Sequence, residues 1–190
     1  MKILIINTHL TYPGWSEGKL NLAFMDLAKA FFVERGHQVA ETFVERGYDP
    51  EEEVKKHVAA DLVILQTPVN WFSAPWIYKK YVDEVFNVGL AKEALLAGDG
   101  RTRQDPSRQY GTGGKMQGKK FMISATWNAP REAFDNPNGE LYGGKGTADC
   151  SSISRPTTSS WALTFSQIMG CSISSRTPTS RVRSKTTSGI

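Results

Sequence analysis

Cysteine is scarce in this chain, with only Cys150 and Cys171 among 190 residues. Their spacing matches neither a CxxC redox pair nor a metal-ligand set, so neither is assigned a role. No apolar run approaches the ~18 residues of a membrane span, and no basic region precedes an apolar stretch at the N-terminus. The expectation is a soluble cytoplasmic protein without membrane insertion. GxGxxG and Walker sequences are missing. Acidic residues are also missing after Asp149, and that controls the charge. The formal net charge is +4, with pI about 9.1, but five basic residues (Arg155, Arg176, Arg181, Arg183 and Lys185) fall in the acid-free tail. Residues 1 to 149 carry eighteen basic residues against nineteen acidic ones, a net −1. No basic stripe on the body would track phosphates, so nucleic acid is not expected as a partner.

What is present is organised around residues 61 to 76, DLVILQTPVNWFSAPW. Leu62 to Leu65 form a short apolar run, which suits a strand buried on both faces of a parallel sheet. Pro68 ends it, because proline lacks the N–H that a central strand needs. Val69, Asn70, Trp71, Phe72, Pro75 and Trp76 follow. Aromatics just past the carboxyl end of a parallel strand stand where open α/β sheets bind ligands, and flat rings there suit a flat heterocycle. They could equally cap the core beneath the next helix, which is predicted from about Ala74 to Phe86 with Ile77, Tyr81 and Val85 inward.

Other elements repeat the strand–loop–helix pattern. Lys2 to Asn7 reads as a buried strand. Thr8 to Gly18 is a loop holding Pro13, Gly14, Ser16 and Gly18. A helix is predicted from Lys19 to Arg35, with Leu20, Phe24, Leu27, Ala28, Phe31 and Phe32 on its inner face and Gly36 as its C-cap. Free amides at such a helix start bind phosphate, and Lys19 could add a cation or simply be solvated. Gln38 to Val44 is the second strand. Pro50 opens a helix with an acidic first turn, in which His57 reads as a surface residue. Leu90 to Gly114 is a long insertion, basic through Arg101 and Arg103, with Tyr110 beside Gly111, Gly113 and Gly114. Lys120 to Thr126 is the fourth strand, followed by Trp127, Asn128, Ala129 and Pro130. Alternation of strands and helices implies a doubly wound parallel α/β sheet.

Six ordered blocks carry a resemblance over roughly residues 1 to 146: Ala74-Pro75-Trp76, Lys79-Lys80-Tyr81, Asp99 to Ser107, Tyr110 to Gly114, Gln117 to Lys120 and Thr126 to Pro130. With the P-x-x-W-F-x-x-P loop, they resemble NAD(P)H quinone reductases of the modulator-of-drug-activity-B type, relatives of DT-diaphorase. The resemblance implies a flavodoxin-like sheet of order 2-1-3-4-5, FAD as cofactor, NADPH or NADH as co-substrate, a quinone as substrate, and a homodimer with the site at its interface. It places FAD phosphates at Ser16, Glu17, Gly18, Lys19, Leu20, Asn21, Leu22 and Ala23. It places the flavin ring against Pro68, Val69, Asn70, Trp71, Tyr110, Thr126, Trp127, Asn128 and Ala129, with backbone N–H groups toward the reduced ring. Arg101 or Arg103 could hold phosphates. The implied reaction is a ping-pong two-electron reduction, hydride passing from nicotinamide to flavin and then to quinone. Tyr110 is the candidate acid. A flavodoxin-type electron carrier is the reading from another class.

Residues 147 to 190 differ from the body: 20 of these 44 are Ser or Thr. This tail reads either as a disordered extension or as the product of a reading-frame shift. Read two bases later, a back-translation of Leu163 to Ser180 can give DFLPDYGVFDIIKNPDV, a strand, a turn and a helix start. On that reading the fifth strand is lost, the fourth becomes an exposed edge, and the chain could be an inactive truncated form of the reductase.

Overall fold

The computed structural model describes residues 1–147, Asp149 and the backbone of residues 164–172. The strands are β1 (Lys2–Asn7), β2 (Gln38–Phe43), β3 (Leu62–Pro68), β4 (Lys120–Trp127) and β5 (Thr164–Ser172). The helices are α1 (Lys19–Glu34), α2 (Pro50–Ala59) and α3 (Trp76–Ala91). All strand pairs are parallel, in the order β2-β1-β3-β4-β5. The order reverses between β1 and β3, which opens a crevice at their carboxyl ends.

Burial explains why the central strands read as continuous apolar runs. Ile3 to Ile6 and Val63 to Leu65 are all buried, because helices cover both faces. Leu4, Ile6, Val63 and Leu65 pack with Val54 of α2 and with Ile77, Tyr81 and Val85 of α3. Ile3, Ile5 and Ile64 pack with Met25 of α1 on the other face. The helix after β3 is therefore as expected in its inner residues, and it runs five residues further, to Ala91.

Two expectations are corrected and one open alternative is decided. The inner face of α1 is carried by Asn21 and Met25 with Ala28 and Phe32 packed beside them as expected, while Leu27 and Phe31 are exposed. The Asn21 amide is drawn to the sheet because Gln66 donates to its Oδ1 (2.9 Å) and its own Nδ2 donates to Thr126 Oγ1 (3.2 Å). His57 is buried rather than on the surface, with Nε2 3.0 Å from the Tyr81 hydroxyl, which donates to the buried carboxylate of Glu53 (2.8 Å). Finally, Trp71 and Phe72 do not cap the core under α3, since both are exposed.

The tail divides. A fifth strand pairs with β4 from Lys120↔Thr164 to Trp127↔Ser172, with a register shift at Phe121/Met122, so the β4 edge is covered. The Ser/Thr-rich remainder and Cys150 lie outside the described residues, as does the side chain of Cys171.

Candidate active site

The loop after β1 and the first turn of α1 form one wall of a cleft of about 600 Å³. Pro68, Val69 and Asn70 after β3, and Thr126, Trp127 and Asn128 around the end of β4, form the other. Its volume is that of a small-molecule or cofactor site.

The helix start is open. Gly18, the N-cap of α1, has φ +73 and offers no side chain to the free amides that follow, and the first turn holds no acid. By contrast, Asp49 caps α2 through the Glu52 N–H (2.9 Å). An uncapped helix start presents N–H groups and the positive end of the dipole to an anion. His9 stands beside it, only 8% exposed, with both ring nitrogens lacking a hydrogen-bond partner among the described residues. The indole Nε1 of Trp127, across the cleft and also buried, is without a partner among the described residues too. Buried polar atoms rarely stay unpaired, so such atoms on two residues that line one cleft single it out as a place for a polar ligand.

The loop after β3 is a tight turn. The Asn70 N–H donates to the Ser73 carbonyl (2.8 Å) and the Ser73 N–H donates back (3.0 Å). Between them Trp71 and Phe72 both take positive φ, +50 and +65. That is the turn geometry glycine and asparagine favour, and two aromatics in it store strain at the rim of the cleft. Trp71 is 93% exposed, while Phe72 meets Tyr142 edge to face at 6.2 Å.

The expected site residues do not all converge. Ser16, Gly18, Lys19, Leu20, Asn21, Pro68, Val69, Asn70, Thr126, Trp127 and Asn128 line the cleft. Glu17 and Leu22 line a smaller hollow toward β2, and Glu17 pairs with Lys19 at 2.7 Å. Ala23 is exposed on α1, Trp71 stands at the rim, and Ala129 packs against the core. Tyr110 is elsewhere. It lines a hollow of about 260 Å³ with Leu90, Leu96 and Asp99. Helix α3 carries the chain from the carboxyl edge to the amino edge of the sheet, where Lys119 bonds the Val58 and Ala60 carbonyls ahead of β3 (2.6 Å each). The insertion therefore stands at the opposite edge, and its Tyr110 does not reach the cleft of its own chain. Arg101 is there too, paired with Asp99 (2.5 Å) and 5.3 Å from the Tyr110 ring centre; Arg103 is exposed on the same loop. Sequence reasoning passed over His9, Tyr12 and Trp15, which all line the cleft. The Pro13-Gly14 turn signal between two aromatics was there to be read.

A parallel doubly wound sheet with an open helix start and aromatic loops at its switch point defines an open α/β protein whose ligand crevice lies at the carboxyl ends of β1 and β3. The chain belongs to the flavodoxin-like fold family, whose profile matches residues 1–146. Over 146 residues it is 44% identical to the NADPH:quinone oxidoreductase MdaB of Haemophilus influenzae, covering 77% of this chain and 74% of that protein. An uncharacterised protein of Schizosaccharomyces pombe is 42% identical over 146 residues, 77% of this chain and 72% of its own. The resemblance read from the six blocks is thereby borne out. Among solved structures, a quinone reductase candidate from Klebsiella pneumoniae superposes with TM-score 0.68 at 21% identity, over 90% of this chain and 75% of that one. General stress protein 14 of Treponema denticola, solved with FMN, superposes with TM-score 0.58 at 16% identity, over 90% and 85%. These two show the fold. No described helix is long and apolar enough to cross a membrane.

Proposed function

We propose that this chain is an NAD(P)H:quinone oxidoreductase, a cytoplasmic flavoprotein that uses FAD and reduces quinones to hydroquinones by a ping-pong two-electron route. One observation carries the reading: the cleft joins an uncapped helix start to the His9 ring and the buried indole of Trp127, whose nitrogens have no partner among the described residues. A flavin fits both ends, with an anion for the amides and a flat ring beside the indole. The bound flavin supplies the group that accepts hydride from the nicotinamide and delivers it to the quinone.

The chain's own residues position and shield. Gly18 to Asn21 present N–H groups to the phosphates, and His9 adds a donor. Trp127 and Val69 wall the ring site and exclude water. Asn70 and Asn128 bring polar groups to the ring edge, where preorganised donors stabilise negative charge. Tyr110 enters through a homodimer, in which Tyr110 of the partner subunit closes the cleft and serves as the candidate proton donor. The 44% identity to a named NADPH:quinone oxidoreductase supports the reading.

The test is an absorbance scan of the purified chain for flavin bands near ~370 and ~450 nm, with identification of the released flavin. FAD that bleaches with NADPH and recovers with a quinone is the expected result. Flavin that bleaches without recovery by any quinone would exclude the enzyme and favour an electron carrier. A second reading, an inactive truncated form, has one observation in its favour: the family match stops at residue 146, and each of the two relatives matches over 146 residues of this chain. Colourless protein that takes up no added flavin would decide for it.

A further inference from the structure

Tyr12-Pro13-Gly14-Trp15 is a rigid aromatic turn at the mouth of the cleft. The Tyr12 carbonyl accepts from the N–H groups of Trp15 (3.1 Å) and Ser16 (2.8 Å), and the Tyr12 N–H donates to the Ser16 carbonyl (2.8 Å). Proline at the second position and Gly14 with φ +72 at the third meet the demands of a type II turn. The two rings meet edge to face, with centroids 5.1 Å apart and planes at 65°. Such a contact covers at most one face of an indole. Trp15 is 79% exposed, so a flat apolar face stands open on a backbone that is already ordered.

The place of this turn along the sheet edge is informative. Thr11, just before it, is tied to the β2 side, since its N–H and Oγ1 donate to the carboxylate of Glu45 (2.7 and 2.8 Å). Tyr12 and Trp15 line the same cleft as the open start of α1, with Asn70 and Trp127 on the facing wall. The cleft thus carries an aromatic ring on each wall, Trp15 on the wall of the helix start and Trp127 on the other. A flavin mononucleotide ends at its phosphate and needs one wall. A dinucleotide continues past its diphosphate to a second flat ring, which needs another.

We infer that Trp15, backed by Tyr12, is the stacking platform for the adenine of an adenine dinucleotide, FAD in the first instance, and that it sets the preference for FAD over FMN. The inference rests on the flavin reading above. The same adenine chemistry is also carried by NADPH, and the experiment separates the two sources.

The whole chain, freed of flavin, is titrated with FAD and with FMN by quenching of flavin fluorescence, as wild type, Trp15→Ala and Trp15→Phe. The KM for NADPH is measured on each flavin-loaded form. Wild type is expected to bind FAD more tightly than FMN. Trp15→Ala should weaken FAD roughly 10- to 100-fold, the worth of one stacked base, and change FMN less than about twofold. Trp15→Phe should recover most of the loss. Unchanged FMN binding also reports that the variant folds. Equal losses for both flavins would mean the turn only braces the loop, and would overturn the platform. No loss for either flavin with an unchanged KM would overturn it too. Wild type without a preference for FAD would defeat the FAD reading separately. The platform would then stand only on a KM for NADPH raised about 10-fold or more in Trp15→Ala with FMN binding intact, and would fall on an unchanged KM.

Discussion

A Cβ added to Gly18 would stand 2.3 Å from Cδ2 of His9 and 2.6 Å from its Nε2. Glycine is thus required there twice, by the imidazole packed on it and by φ +73. Gly18→Ala is expected to cost about 1–3 kcal/mol of stability and to abolish flavin retention, because His9 must leave the cradle. Gly14→Ala shares the positive φ but meets nothing within 4 Å, so it should cost about 1 kcal/mol and leave phosphate contacts intact. Thermal melts with flavin content per chain check the pair. Equal flavin contents would break the argument.

Trp71→Gly is expected to stabilise. The indole is almost fully exposed and little burial is lost, while relief of the left-handed strain contributes about 1 kcal/mol, or roughly 2–4 °C in Tm for a chain of this size. If Trp71 orients a flat substrate as proposed, turnover with quinone should fall at least ~10-fold. A lowered Tm would show that the turn is not strained. Undiminished turnover would show that Trp71 orients nothing.

His57 makes stability fall in mild acid. Burial and the nearby Lys119 and Lys56 push its pKa down from the ordinary 6.5 to about 4. The unfolded chain therefore takes up the proton first, and stability is full above pH 6.5 and is lost as the pH falls toward 4, by on the order of 3 kcal/mol. His57→Gln keeps a hydrogen bond toward Tyr81 and should flatten that part of the profile. Urea melts between pH 4 and 8 measure it, and parallel curves for the two proteins would refute the assignment.

Gly18→Ala and Tyr110→Ala probe the dimer. If Tyr110 acts on the partner's cleft, mixed dimers hold one intact site and one doubly altered site. Unfolding and refolding the two inactive variants together should return about a quarter of wild-type activity. If Tyr110 acted within its own chain, no site would be whole and nothing would return.

The division at residue 146 is tested on the transcript. A shifted frame predicts that sequencing across codons 140 to 165 reveals an insertion or deletion. An intact frame would make the Ser/Thr-rich tail a genuine extension.

Much of this fold was legible because β1 and β3 are buried on both faces, so Ile3 to Ile6 and Leu62 to Leu65 read as plain apolar runs. Asp49-Pro50 and the three glutamates of α2 likewise announced a helix start. Helix α1 misled, because composition ranks Leu27 and Phe31 as inward and an asparagine as outward, and only the pairing of Asn21 with Gln66 and Thr126 reverses that. His57 misled for a related reason: its acceptor chain through Tyr81 to Glu53 spans 28 residues and leaves no local pattern. At the site, the residues at strand ends line the cleft as expected, whereas Tyr110 was set against the flavin ring and lies in another hollow of its own chain, since nothing in a loop's sequence says which edge of the sheet it returns to.

Asn21 also makes the cleft a fixed gauge. It ties the first turn of α1 to β3 and β4 through side chains alone, so the span from the anion cradle to the ring-bearing loops is set before any ligand arrives. A ligand whose charged and flat ends are separated by a different length cannot be accommodated by sliding the helix, because sliding would leave three buried amide and hydroxyl groups unpaired at once. The molecule therefore measures its cofactor by length as well as by chemistry.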